Sequence, residues 1–492
     1  MTPPDAAQAA AYRVDSAPAL QLTVHDGVTI AVPPTLSSIT TYVLLEQEAW
    51  FEKEIDFLKE FLEPGMTAID IGANLGVYSL PMARLVGPSG RVYAYEPGGE
   101  ARALLRQSRE ANGFDNLEVL DLALSDGARE GRLGFADSSE LRALGGNGGG
   151  EPVRVTSLDL ESGTRAWSSV DFIKIDAEGE EERIVAGARD FFARHSPLVM
   201  FEIKAGNVLN ERLRQTYPAM GYRLFRQLAG AAVLVPVDPT KPLDRFELNL
   251  FAAKADRARE LAERGLLVET VPGWQPEAAD VERARSFWRR QSFASLVTLA
   301  ETGLSADNDY QNALVGYATW RTAEQPVAVR CAALAFALQS ARVACARAGT
   351  AERASTWARI AWEWGARGES ITALERLLQL LQGLRLQEPF WPAAARFDDI
   401  TTGDRPAEWF VAAAAEQYER TFSFSSAFSG VSPLMDWLCK QPFASAEIER
   451  RRTLAAAGAG SIPMVPNRLR EAAPDHLNAG PWRAGSVPGT AT

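Results

Sequence analysis

Apolar and polar residues alternate from Leu20 to Val32 around Asp26-Gly27, the pattern of a hairpin with its turn at that pair. From Glu46 to Leu62 the spacing changes. Trp50, Ile55, Leu58, Phe61 and Leu62 recur at helical intervals until Pro64-Gly65 stops them. A short apolar run, Met66 to Ile71, then enters the turn Gly72-Ala73-Asn74-Leu75-Gly76, and the apolar rows of a second helix follow. Strand, turn and helix in this order collect backbone amides at a helix N-terminus, which makes a nucleotide cradle. Arg91 to Tyr95 reads as the next strand and ends in Glu96. Glu100 to Asn112 reads as a helix closed by Asn112-Gly113, and Leu117 to Leu124 as a third strand turned by Ser125-Asp126-Gly127. The alternation predicts a parallel α/β sheet. Further strands are expected at Val153 to Leu158, Val170 to Ile175, Leu198 to Ile203, Tyr222 to Phe225, Ala231 to Val235 and Glu247 to Ala252, the last ones forming a reversed hairpin at the far edge.

From about Ala255 onward the pattern is helical, with almost no strand signal. Val329, Ala332, Ala333 and Phe336 fall at spacings of three and four, as do Ile371, Leu374, Leu378 and Leu381. Ala361, Trp364, Gly368, Ala373 and Leu377 match the small, aromatic and glycine positions of a single tetratricopeptide-like hairpin. Ten of the twelve tryptophans lie in this half and read as helix packing, with stacking platforms for a glycan or a peptide as the alternative. Ser423 to Gly430 is too polar for a plain helix and reads as a loop over a site. The organisation expected is therefore a flexible tail at 1–18, an α/β domain at 19–266, an all-α domain of helical hairpins at 267–457, and a Gly/Pro-rich tail at 458–492. The glycine run Gly145 to Gly150 reads as a flexible connection, or as a flap over the acceptor.

A chain of 492 residues with 46% hydrophobic and 23% charged residues is of ordinary globular composition and long enough for two or three domains. Its net charge of -12 argues against a nucleic-acid or anionic-membrane partner. No basic stretch followed by an apolar run opens the chain, so a cytoplasmic location without membrane insertion is expected. Cys331, Cys345 and Cys439 are odd in number and widely spaced, which suggests reduced thiols. His25, His195 and His476 share no motif.

The chemistry concentrates at the first strand. Gly72 and Gly76 allow a tight turn and close approach of a ligand to the main chain, and Asp70 offers a carboxylate at the strand end. Twenty residues beyond Gly76, Glu96 stands where this architecture grips ribose hydroxyls. The turn reads G-x-N-x-G and lacks the G-x-G-x-x-G spacing of a pyrophosphate binder. S-adenosylmethionine, with ribose but no diphosphate, is thus favoured over NAD. The expected cofactor residues are Asp70, Gly72, Ala73, Asn74, Gly76, Tyr78, Glu96 and Pro97, with Asp121 and Ala123 toward the adenine.

The segments Ile69-Asp70-Ile71-Gly72-Ala73-Asn74-Leu75-Gly76, Tyr95-Glu96-Pro97, Ala123-Leu124-Ser125-Asp126 and Ile173-Lys174-Ile175-Asp176-Ala177-Glu178-Gly179 together resemble the FkbM family of S-adenosylmethionine-dependent methyltransferases. Ser157-Leu158-Asp159 and Phe201-Glu202 fit the same pattern. The resemblance covers about residues 20 to 255. It implies a Rossmann-like seven-stranded class I methyltransferase sheet with one antiparallel strand, and O-methylation of a sugar or polyketide hydroxyl. Gly98-Gly99 depart from the Asn-Pro often found after the Glu-Pro pair.

Methyl transfer needs acceptor oxygen, methyl carbon and sulfur held in line and dry, and an alcohol acceptor gains from a carboxylate that takes its proton. Asp176 is the first candidate, followed by Glu178 and Glu202. The alternatives are a helix-capping Asp176 and a solvated acidic face from Glu178 to Glu182. Lys174 shares a strand face with Asp176 and is placed to pair with a carboxylate. Asp159, Asp176 and Glu202 have no spacing that compels a divalent ion, and no metal is expected. An O-methyltransferase acting on a glycan or related small molecule is the leading reading. An NAD-dependent oxidoreductase and a non-catalytic partner-binding protein are the alternatives, and the helical half leaves room for a protein partner or a homodimer.

Overall fold

The computed structural model describes residues 18–134, 142–144, 150–205, 208–297, 304–483, 485 and 487–489. The flexible tail expected at 1–18 and the glycine run from Gly145 lie outside these residues, Pro18 and Gly150 excepted.

Eight strands form the central sheet: β1 (Thr67–Ile71), β2 (Arg91–Tyr95), β3 (Leu117–Leu120), β4 (Phe172–Ile175), β5 (Leu198–Glu202), β6 (Arg223–Gln227), β7 (Leu234–Pro236) and β8 (Asn249–Ala253). Their order across the sheet is β7-β6-β8-β5-β4-β1-β2-β3. β1 to β5 run parallel, and β8 enters antiparallel between β5 and β6. This is the class I methyltransferase arrangement, with one strand more than the seven expected, because β7 folds back antiparallel on β6. β4 and the apolar part of β5 are buried on both faces, as a parallel sheet with helices on each side requires.

Two expected elements are divided. The run from Leu117 to Leu124 bends at Asp121-Leu122, so Ala123–Leu124 leaves the main sheet and pairs with Val155 and Thr156 in a small three-stranded sheet. The single helix expected from Glu46 to Leu62 is two, Ile39–Gln47 and Glu54–Phe61. Glu48 sits in the left-handed region at φ 54, where a helix cannot continue, and residues 48–53 cross the carboxyl end of the sheet.

The second half is all helical among its described residues. Helices Ala278–Arg289, Asn308–Trp320, Val327–Arg347, Ala351–Trp364, Arg367–Gln379 and Pro406–Phe422 pack each against the next. Trp288, Trp320, Trp391 and Trp409 are buried among them. Helix Val327–Arg347 is long and apolar enough to cross a membrane by length and composition, and here it packs between its neighbours. Leu228, Val233 and Val235 from the sheet edge belong to the same apolar core as these helices, so the two halves share a packed interface there.

Residues 458–489, expected as a tail, return to the start of the chain. Val465, Leu469 and Trp482 share a core with Leu22, Val28 and Tyr42, and Trp482 is fully buried. Asn478 closes a two-way bond with Thr23, its Oδ1 accepting from the Thr23 N–H and its Nδ2 donating to the Thr23 carbonyl, both at 2.8 Å.

Candidate active site

The turn after β1 is built by conformation. Gly72 has φ +75, and a Cβ there would lie 1.7 Å from the Asp176 carbonyl oxygen, so the ends of β1 and β4 touch across this glycine. Gly76 has φ +89 and packs against Leu105 of helix Gly99–Asn112. Four amides of the turn are already engaged. Gly72 and Ala73 both donate to the Tyr95 carbonyl at 3.1 Å, Asn74 to Glu96 Oε2 at 2.8 Å and Gly76 to the Ala73 carbonyl at 2.8 Å. The expectation that main-chain N–H groups greet the ligand here is therefore corrected. Holding the turn against β2 consumes these four donors, and a diphosphate would find none of them available.

Glu96 ends β2 with its carboxylate fixed by two of these loops, Oε1 accepting from Gly98 N–H at 2.6 Å and Oε2 from Asn74 N–H. Burial raises its carboxyl to about 7 and outweighs the two amide bonds, which oppose the rise. Glu96 lines a cavity of about 370 Å³, as do Pro97 and Ala123. Asp121, expected beside them, instead pairs with Arg102 at 2.9 Å and is half exposed.

Opposite Glu96, three acids, Asp176, Asp70 and Glu52, gather around one ammonium. Lys174 Nζ lies 2.8 Å from Asp176 Oδ2 and 3.7 Å from Asp70 Oδ1, and sits 5.0 Å from the centre of the Tyr78 ring. Burial disfavours its charge, but Asp176 and Asp70 more than restore it and hold the lysine above its ordinary range. Asp70 is fully buried. Its Oδ2 accepts from the Ser79 hydroxyl, and its Oδ1 has no hydrogen-bond partner. Tyr78 donates to Glu52 Oε2 at 2.6 Å, and Asn249 Nδ2 donates to the same oxygen at 2.8 Å. Burial and the nearby Asp176 charge push Glu52 up. Glu202, at the end of β5, is raised to about 10 by burial and by the Asp176, Glu178, Glu181 and Glu52 charges, which favours its protonated form. Its Oε2 is buried without a partner. Glu178 lines the cavity from a left-handed turn position at φ 49. Asp159, weighed with these acids for a cation, accepts instead from the Phe191 N–H at 2.8 Å.

Sequence reasoning missed Trp50, Phe51 and Glu52, which form the far wall of the cavity. The helical spacing of Trp50 and Ile55 hid the break that carries them, and two adjacent aromatics beside an acid were the available signal. Phe424 and Phe428, from the serine-rich loop of the second half, complete the wall. The helical domain thus contributes side chains to a cavity on the carboxyl ends of β1, β2, β4 and β5.

Sheet order, glycine turn and acid-lined crevice define a Rossmann-like methyltransferase domain. Residues 70–224 match the model of the Methyltransferase FkbM domain. The chain is 29% identical to the 31-O-demethyl-FK506 methyltransferase FkbM of Streptomyces tacrolimicus over 26% of its own length and 62% of that protein. It is 32% identical to the protein-L-isoaspartate O-methyltransferase of Triticum aestivum over 18% of its length and 39% of the relative. The chain thus spans less than two thirds of these curated relatives. Among solved structures, the methyltransferase FkbM of Methylobacillus flagellatus aligns with a TM-score of 0.27 at 17% identity, covering 43% of this chain and 53% of the other. A SAM-dependent methyltransferase of Aquifex aeolicus aligns at 0.26 and 14%, covering 43% and 96%.

Proposed function

We propose that the chain is an S-adenosylmethionine-dependent O-methyltransferase acting on a hydroxyl of a sugar, glycan or related small molecule. The observation that carries this reading is the pairing of a ribose-gripping acid, Glu96, with a buried acid cluster at Asp70, across a turn in which the Gly72, Ala73, Asn74 and Gly76 amides are engaged within the protein. When bound, S-adenosylmethionine supplies an activated methyl group on a cationic sulfur. Negative side chains favour such a cation, and the engaged amides disfavour the phosphates of NAD. Glu96 would accept hydrogen bonds from the ribose hydroxyls, and Asp70, buried and ion-paired with Lys174, would lie behind the wall that meets the amino-acid portion. Gly72 lets that portion lie against the chain.

Asp176 is a third exposed, at the cavity wall, and is held in place by Lys174. It would take the proton of the acceptor hydroxyl as the oxygen attacks. Glu202, protonated, would donate a hydrogen bond that orients the acceptor. Trp50, Phe51, Phe424 and Phe428 keep water from the reacting atoms.

Calorimetric titration with S-adenosylhomocysteine and with NAD tests the reading. Heat from the first, its loss in Glu96→Ala, and none from NAD are expected. Binding of NAD alone would favour the oxidoreductase. Silence with both ligands would leave the proposal without support.

A further inference from the structure

A second cavity of about 400 Å³ lies between the two halves of the chain and shares Trp50, Phe51, Glu52, Leu248 and Phe424 with the first. Into it faces Arg367, only 9% exposed. Its Nε donates to the Thr421 carbonyl at 2.8 Å, and its guanidinium stacks on the Phe424 ring at 3.8 Å. Among the described residues no carboxylate lies within ion-pair distance of it. The acids around it are occupied otherwise. Asp244 accepts N–H bonds from Gly368 and Phe246 at 2.9 Å on its two oxygens, and Glu247 pairs with Lys53 at 2.8 Å. Glu54 is raised to about 8 by burial and so is mostly protonated at neutral pH. A buried arginine with no carboxylate within ion-pair distance, acted on by Asp244 only from farther off, in a cavity lined by aromatic rings and by acids engaged elsewhere, such as Glu447 with Arg420 at 3.6 Å, suits a ligand that brings its own anion.

We infer that this second cavity is the acceptor subsite and takes a sugar ring bearing a carboxylate or a phosphate, with Arg367 gripping the anion and Phe51, Phe246 and Phe424 against the ring. The inference rests on the methyl-transfer reading above. It places the anion at one end of the acceptor and the hydroxyl to be methylated at the other, where the cavities join at Glu52. The guanidinium is planar and braced on Phe424, so a bidentate grip would lose little side-chain freedom.

The test uses the full chain saturated with S-adenosylhomocysteine and titrated with methyl glucuronoside, glucose 6-phosphate and methyl glucoside. At least one anionic sugar is expected to bind tenfold or more tightly than the neutral one, and which of the two does so distinguishes carboxylate from phosphate. Arg367→Met is expected to abolish that preference without altering S-adenosylhomocysteine affinity. The wild-type contrast stands by itself if the variant does not fold. Equal binding of the three sugars, or none, with normal S-adenosylhomocysteine binding would overturn the inference and leave the methyltransferase reading intact. Sugar preference without any S-adenosylhomocysteine binding would overturn the methyl-transfer reading and, with it, the acceptor role.

Discussion

At Gly72 one added methyl group would meet the Asp176 carbonyl at 1.7 Å on a backbone held at φ +75. Left-handed backbone alone costs a side chain about 1–2 kcal/mol, and the contact forces β1 and β4 apart. Gly72→Ala is therefore expected to lose more than about 2 kcal/mol in urea unfolding and to weaken S-adenosylhomocysteine binding. Glu96 carries a different signature. Beyond its two amide bonds, only its ionised form can accept from ribose on both oxygens, and burial raises that ionisation to about 7. S-adenosylhomocysteine affinity should rise between pH 6 and 8, and Glu96→Gln should flatten the rise. Glu202 acts on stability with the opposite slope. Folding raises its pKa from 4.5 to about 10, so the folded chain keeps a proton that the unfolded chain releases. Its contribution is full below pH 4.5 and falls as pH climbs toward 10. Glu202→Gln should remove part of that decline, measured as melting temperature between pH 5 and 9.

The elements divide into those a local pattern specifies and those fixed by distant partners. β4 was legible because Phe172 to Ile175 is apolar enough to be buried on both faces, and the Asp-Ala-Glu-Gly turn ends it. The end of helix Gly99–Asn112 was legible from Gly113, which takes the left-handed cap. The break at residues 48–53 was not. Glu48 leaves the helix because Leu477 and Asn478 donate backbone N–H bonds to its carboxylate and Arg450 stands 3.3 Å away, and no window of neighbouring residues contains that information. Trp482 likewise pins a segment whose glycines and prolines suggest looseness. Burial alone would raise Glu48, but the His476 hydrogen bond, the Arg450 charge and the two amides prevail and hold it at about 2. Its stabilising share is present above pH 4.5 and fades as pH falls toward 2. Glu48→Ala strands Arg450 in the interior and is expected to lose about 3–5 kcal/mol at neutral pH, read by urea denaturation.

The whole molecule behaves as one body because its halves are laced together at several points. Arg226 donates to the Trp364 carbonyl at 2.6 Å, Gly368 donates to Asp244, and helix Ala446–Gly458 lies on helix Ile39–Gln47 with Arg451 3.1 Å from Glu46. A chain ended at Leu266 would keep all eight sheet strands yet expose the apolar faces that Leu454, Leu469 and Trp482 cover. It is expected to show no cooperative thermal transition and no S-adenosylhomocysteine binding, and the full chain is expected to show both.

The return of residues 465–482 to the hairpin at Leu20 to Val32 also sets a timetable. A ribosome makes the hairpin first and its cover last, more than four hundred residues later, which at about 5–20 residues per second leaves those apolar strands waiting for tens of seconds. Throughout that interval the nascent domain carries an uncovered flank, and a chaperone that shields it would decide how much of the chain reaches its finished state.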